Sequence, residues 1–475
     1  MEGKKTNYRW VICSLLFFAT TINYLDRQVL SLTWKDFIVP EFHWNNNDYG
    51  TITAIFSLAY AVSMLVAGRF VDWLDTRKGF LWAIGIWSVG ACLHAYCGIA
   101  TAGIATGHWA FSFSGAKQAI AVVDDVAKIS SISVMLFIFA RIILALGEAG
   151  NFPAAIKATA EYFPKKARGF ATSIFNAGAT VGAMAAPVTI PVIAKAYGWE
   201  MAFIIIGAVG FIWMGCWIFL YKKPEANPAV NAAELAYIHG DETDAVAAAA
   251  TGTAVAGISW GRVFRYKQTW AFAFGKFMTD GVWWFYLFWT PAYLKDVHQL
   301  DSIQSRPHLF VLYTITLVSI VGGWLPTYFV EKKKMNPYAG RMKAMLIFAF
   351  FPLLALLAQP MGHYSVWIPV LIIGIAGAAH QSWSANIFST VGDMFPKSAI
   401  ATVTGIGGMA GGLGSFLINK GSGALFDYAK EAHMNFLGFQ GIDAGYFIIF
   451  SICAVAYLLG WIVMKRLVPE YAPVI

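Results

Sequence analysis

The sequence predicts an all-α polytopic membrane protein: twelve transmembrane helices in two six-helix repeats. Three observations carry this. Of 475 residues, 58% are hydrophobic and only 13% charged, with a mean hydropathy of +0.59, whereas soluble domains carry roughly 25% charged residues. Many apolar runs reach about 20 residues, enough to cross a bilayer, and a backbone in lipid must satisfy its own hydrogen bonds, so these runs are helices. Finally, one signal recurs before the fifth span of each half, as Tyr162-Phe163-Pro164-Lys165-Lys166-Ala167 and Met394-Phe395-Pro396-Lys397-Ser398-Ala399.

Polar breaks place the spans near 9–31, 50–73, 79–99, 131–152, 168–196, 200–221, 270–294, 308–330, 342–359, 364–390, 398–420 and 445–465. Residues 100–130, with Lys117, Asp124, Asp125 and Lys128, read as a long external loop between spans three and four. Basic residues crowd one alternate set of loops, as at Arg77-Lys78, Lys222-Lys223 and Lys332-Lys333-Lys334. That asymmetry puts both termini in the cytoplasm. The net charge of +8 is therefore a topology signal and not a nucleic-acid surface. All five cysteines fall within apolar spans without ligand spacing, which argues against a disulfide framework or a zinc site. The basic start and first apolar run read as an uncleaved span.

Residues 222–267, with Pro224, Pro228 and an Ala/Thr/Gly-rich run at 245–257, read as a cytoplasmic connector between an N-terminal half, 1–221, and a C-terminal half, 268–475. The spans after the repeated signal carry Gly178-xxx-Gly182 and Gly408-xxx-Gly412, small-residue surfaces that let helices approach closely. A parallel repeat of this kind puts a binding site between the halves, near mid-membrane.

Charges inside spans mark that site, because each costs about 2.5–3.5 kcal/mol at a helix centre. Span one carries Asp26 beside Arg27. They could neutralise each other and only fix packing. In the functional reading, Arg27 offers a planar donor fork to a carboxylate ligand, and Asp26 carries a proton. Asn23 and Tyr24, one turn earlier, are placed to hydrogen-bond hydroxyls. Span four holds Arg141 and, seven residues on, Glu148, two turns apart on one face, with Asn151 three residues further. Glu148 lies too deep for a surface pair and reads as a proton site.

In the second half, Lys276 either snorkels to the interface or binds an anion. Asp280, Trp283, Trp284 and Tyr286 follow it, and aromatic faces both pack and stack on sugar rings. Span ten reads His380-Gln381-Ser382-Trp383-Ser384-Ala385-Asn386. Its polar groups suit either a hydroxylated substrate or hydrogen bonds between helices, and His380 fits both.

The loop after span two has Gly68, Asp72 four residues on, then Arg77-Lys78. This resembles the signature loop of the major facilitator superfamily, although Asp75 stands where that family usually has glycine. The resemblance implies that Gly68, Asp72 and Arg77 gate the cytoplasmic side without touching substrate. With Asn23-Tyr24-Leu25-Asp26-Arg27, the Arg141 and Glu148 pair, Ala379-His380-Gln381 and the 198–203 stretch Gly-Trp-Glu-Met-Ala-Phe, the chain resembles the anion:cation symporter family, and within it bacterial hexuronate transporters. That resemblance implies a monomeric transporter in the bacterial inner membrane, carrying a sugar-acid anion with protons and needing no cofactor. It implies proton coupling through Asp26, Glu148 and Arg141, and substrate contact by Arg27, Tyr24 and Tyr60. Lys276, Tyr286, His380, Gln381, Ser384, Asn386, Asn23 and Asn151 are further candidate contacts. Rival readings are a carrier of an aldonate such as galactonate, or of sialic acid, and a passive channel. An intramembrane enzyme would need a catalytic constellation, for which His380 with Ser382 or Ser384 is the only hint.

Overall fold

The structure, a computed structural model, describes residues 6–239 and 260–474. The run 245–257 of the connector lies outside the described residues, and so does the side chain of Asp72. Span one is Tyr8–Thr33, span two Asn46–Leu74 and span three Thr76–Thr106. Span four is Val126–Glu148, continued after a turn by Asn151–Tyr162; spans five and six are Lys165–Tyr197 and Trp199–Leu220. Span seven is Lys267–His298. Span eight is Arg306–Ile315, a 3₁₀ stretch Thr316–Ile320 and Val321–Glu331; span nine likewise joins Pro337–Phe350, Phe351–Leu357 and Ala358–Gly362. Spans ten to twelve are Trp367–Met394, Lys397–Glu431 and Ile442–Leu467.

Nine helices among the described residues are long and apolar enough to cross a membrane. Spans one, seven and eleven fall outside that set although they are equally long. Span one carries Asp26 and Arg27, span seven carries Lys276 and Asp280, and span eleven is rich in glycine. The helices least suited to lipid pack against protein instead: span one on span five, and span eleven on spans two and seven. Close approach is built in, because a Cβ at Gly178 would strike the Phe17 carbonyl and one at Gly182 the Thr21 carbonyl. At the matching place in the second half, Gly412 lies tight on Ala61 of span two, whereas Gly408 only reaches the end of Met64.

The repeated signal folds the same way twice. Phe163 and Phe395 are extended (φ −129°, ψ 133° and φ −113°, ψ 146°), as the residue before proline prefers. Pro164 and Pro396 then start the next helix at φ −63° and −64°. The acid two residues before each phenylalanine ties down the neighbouring loop. Glu161 accepts from Thr76 and Tyr221, and Asp393 pairs with Arg341 at 2.6 Å.

Asp75, the departure from the signature loop, adopts φ 71°, ψ 155° between spans two and three. That region is essentially reserved for glycine, and Gly198 occupies it (φ 95°, ψ 155°) between spans five and six. The ion pair of Asp75 with Lys223 is 3.5 Å long and half-exposed, so it offsets little. Asp75→Gly is expected to stabilise the protein by about 1 kcal/mol, read as a rise in Tm. A lower Tm would contradict this account of the turn.

The expected external loop is shorter and more ordered than the sequence suggested. Span three runs on to Thr106 and span four starts at Val126, leaving 107–125, half of which is the helix Phe113–Ala121 capped by Ser112. Lys117 on this helix reaches Glu200 at 2.8 Å and Glu41 at 3.7 Å, and Glu41 also accepts from Trp199 at 2.8 Å. Glu41 belongs to the short helix Val39–Phe42 beyond span one. Burial pushes its carboxyl up to about 7, against the pull of Trp199 and Lys117.

At this same end the two halves are joined. Span one unwinds into a π-helix, Trp34–Ile38, a local widening often found at functional positions. It presents Lys35 to Asp296 at 2.9 Å and Asp36 to Lys295 at 3.0 Å. The same Lys-Asp dipeptide thus ends spans one and seven, and the two cross-pair reciprocally. Trp34 stacks on Tyr49 (4.1 Å) and meets Trp289 edge-on, while Asp427 of span eleven caps the start of span two through Asn46 and Asn47. At the end that carries the termini, the ion pairs Arg341–Asp393 and Arg9–Glu234 each stay within one half and its connector.

Candidate functional site

Arg27 is the centre of the buried polar constellation. Its partner is not the adjacent Asp26 but Glu148, from span four: Nε and Nη2 donate to the same oxygen, Oε2, at 2.9 and 2.7 Å. Neighbours on a helix point about 100° apart, so Asp26 and Arg27 face different helices. Glu148 ends the first part of span four, where the turn at Ala149–Gly150 interrupts the helix. Both partners are buried, Arg27 at 3% and Glu148 at 0% exposure.

Four aromatic rings surround the guanidinium: Tyr24 at 5.0 Å, Tyr60 at 4.9 Å, Phe56 at 5.8 Å and Trp284 at 5.0 Å. Ring faces attract cations, and a guanidinium stacks well on them. Trp284 belongs to span seven, so this cage closes across the two halves. Its ring also meets Tyr60 at 5.5 Å.

The same stretches of spans one and four carry polar groups that are buried without a hydrogen-bond partner. These are Oε1 of Glu148, Nε and Nη1 of Arg141, and the amides of Asn23 and Asn151, while Asp26 has the Trp87 indole as its one donor neighbour among the described residues. Arg141 also lies over Phe56 at 5.1 Å, and both Glu148 and Arg141 are electrostatic neighbours of Asp26. Buried polar groups normally find partners, so a constellation of this size marks where a polar guest or proton traffic is accommodated.

The structure therefore brings Tyr24, Arg27, Tyr60 and Glu148 into contact, with Asp26 and Arg141 as electrostatic neighbours of Glu148, and buries Asn23 and Asn151 one helical turn along from Arg27 and Glu148. The second half divides. Lys276 does not snorkel: it pairs with Asp280 at 2.7 Å and lies over the Phe388 ring at 4.3 Å. Gln381 and Ser384, one turn apart on span ten, are half-buried. His380, by contrast, bonds Tyr457 at 2.8 Å and stacks on Trp283, and Asn386 donates to the Gly322 and Ser382 carbonyls. Tyr286 is buried beside Cys453 of span twelve. These three pack within the second half. In the signature loop, Arg77 donates to the Ile218 carbonyl at 2.6 Å and Gly68 has open space beside it.

Phe56 and the reciprocal Lys-Asp pairs escaped the sequence reading. The repeated Lys-Asp at the ends of spans one and seven was a visible signal for the latter. Phe56 carried none, since it is one aromatic among 37 phenylalanines.

A family profile described as Major Facilitator Superfamily matches residues 16–418. The hexuronate transporter of Escherichia coli (strain K12) is 28% identical over 463 residues, covering 96% of this chain and 93% of its own length. The galacturonate transporter of Dickeya chrysanthemi is 28% identical over 339 residues, 70% of this chain and 86% of its own. Among solved structures, the xylose transporter XylE from E. coli, in a partially occluded inward open conformation, matches with a TM-score of 0.67 at 15% identity, covering 98% of this chain and 99% of that one.

Proposed function

This chain belongs to the Major Facilitator Superfamily, a family of transporters and not of enzymes, and on that premise we propose that it imports hexuronates such as glucuronate or galacturonate together with protons. The single observation that carries the proposal is the Arg27–Glu148 pair inside its four-ring cage at the contact of the two halves. The likeness to hexuronate and galacturonate transporters supports the choice of substrate.

The chemistry follows from exchange of partners. Glu148 occupies the donor fork that a substrate carboxylate needs. A proton on Glu148 removes its claim on Arg27, and the sugar acid then takes the guanidinium, with the aromatic faces of Tyr24, Tyr60 and Trp284 flanking the ring. Asp26 is a second place for the proton, and Arg141, its electrostatic neighbour, compensates the charge when the proton leaves. In a low-dielectric interior such exchanges are worth several kcal/mol, enough to bias which side of the membrane the site faces. On this reading both termini are cytoplasmic and the Lys-Asp latch is external, so the conformation described is closed to the outside.

Purified protein in liposomes should accumulate labelled glucuronate only when a pH gradient is imposed. Asp26→Asn is expected to abolish that accumulation while leaving exchange of internal for external substrate. Gradient-driven accumulation unchanged in Asp26→Asn would rule out its role as a proton carrier.

A further inference from the structure

Span seven carries an ion pair that the proposed coupling does not use. Lys276 and Asp280 are four residues apart on one helix face, joined at 2.7 Å, and their side chains are only 6% and 16% exposed. Trp284, which forms the second half's wall of the Arg27 cage, lies a further four residues along the same face. The rise from Asp280 to Trp284 is about 6 Å, close to the width of a sugar ring. Asp280 is an electrostatic neighbour of both Tyr24 and Tyr60, and its carboxylate rests on Gly411 of span eleven, where any side chain would collide with it. Lys276 is held from the other side by the Phe388 ring.

Resting on the reading of Arg27 as the carboxylate site, we propose that Lys276 and Asp280 form the opposite end of that site. There they read the hydroxyls of a sugar monocarboxylate and exclude a second carboxylate. A lysine alone would attract an anion. Neutralised by Asp280, it becomes a dipole with ammonium donors on one side and carboxylate acceptors on the other. Sugar hydroxyls, which donate and accept, satisfy both. A carboxylate at that end accepts only, meets the Asp280 charge, and leaves that acid's lone pairs unanswered; a site left with unpaired polar groups discriminates strongly.

The test is counterflow in liposomes without a pH gradient, which removes proton coupling from the readout. Labelled glucuronate is competed by unlabelled glucuronate or by glucarate, which carries a carboxylate at both ends. Wild-type protein is expected to favour glucuronate by roughly tenfold or more. Folded Asp280→Asn, which frees the Lys276 charge, is expected to lose that preference by about tenfold, whereas Asp280→Glu keeps it. Should Asp280→Asn fail to fold, Lys276→Gln/Asp280→Asn avoids any unpaired buried charge. In this double variant the Asp280 charge that repels a second carboxylate is gone, so the preference for glucuronate over glucarate should again fall by about tenfold. Equal competition in wild type, or wild-type values in the folded variants, overturns the proposal alone. No glucuronate counterflow by wild type overturns the Arg27 reading and this one with it.

Discussion

Arg27→Ala is expected to abolish glucuronate transport and also to lower stability, because it strands Glu148 as a buried charge with no cation in contact. Removing one member of a buried ion pair typically costs about 3–5 kcal/mol. Transport should fall by at least about a hundredfold, as the substrate carboxylate loses its charged, bidentate partner. Arg27→Lys separates the two effects. Lysine retains the charge, so most of the stability returns, but it has neither the planar fork nor the stacking surface that four rings are arranged to meet. Initial uptake should remain at least about tenfold below wild type with Tm nearly restored. Arg27→Ala/Glu148→Gln gives a further separation, since no buried charge is left stranded. Its Tm should exceed that of Arg27→Ala while transport stays absent. Wild-type affinity in Arg27→Lys would refute the recognition of substrate by the guanidinium.

Reversing one charge of the Lys-Asp latch is the second change of large effect. In Lys35→Asp, residue 35 becomes an acid facing Asp296, next to Asp36, and the salt bridge at 2.9 Å becomes a repulsion. Truncating one partner of a close charge pair at an interface costs about 2–5 kcal/mol. The Lys35 and Asp296 side chains are 20% and 14% exposed, so the lower part of that range applies. Even so, the ratio of molecules closed to molecules open at this end should shift by more than about tenfold. The observable is the rate at which a membrane-impermeant maleimide labels a cysteine placed at Ser31, which lies in the crevice beneath Lys35 and Asp36. Faster labelling in Lys35→Asp, and its reversal in Lys35→Asp/Asp296→Lys, is the expected pattern. Equal labelling in all three would mean the ion pairs do not hold this end shut.

Much of this architecture was legible in the chain because it is set by local chemistry. Apolar runs and the polar breaks between them placed the twelve helical spans, with ends displaced where helices continue beyond the apolar stretch, as span eleven does from the expected residue 420 to Glu431. The Phe-Pro-Lys signal marked equivalent joints because proline restricts the same two residues in each half. Intramembrane charges pointed to the buried polar constellation for the same reason, each being costly wherever it stands. Pairing was a different matter. That Arg27 chooses Glu148, 121 residues away, over its neighbour Asp26 depends on how spans one and four are rotated against each other, and spacing along one helix says nothing about that. The span-ten polar run shows the same limit. His380 and Asn386 are consumed by Tyr457 and Gly322, while Gln381 and Ser384 of the same run are not. The departure at Asp75 was readable as an oddity, but only its dihedral angles explain what a glycine there would relieve.

The placement of Glu41 makes the end of the molecule that carries the Lys-Asp pairs sensitive to the pH of its medium. Burial holds its carboxyl up at about 7 instead of the ordinary 4.5, while Trp199 and Lys117 pull it down. Burying this carboxyl therefore takes up a proton between those two pH values. It is favoured in acid, weakens as pH rises through this window, and changes no further above about 7. The packing around Glu41 is thus firmest in an acidic medium and loosens as the medium turns neutral.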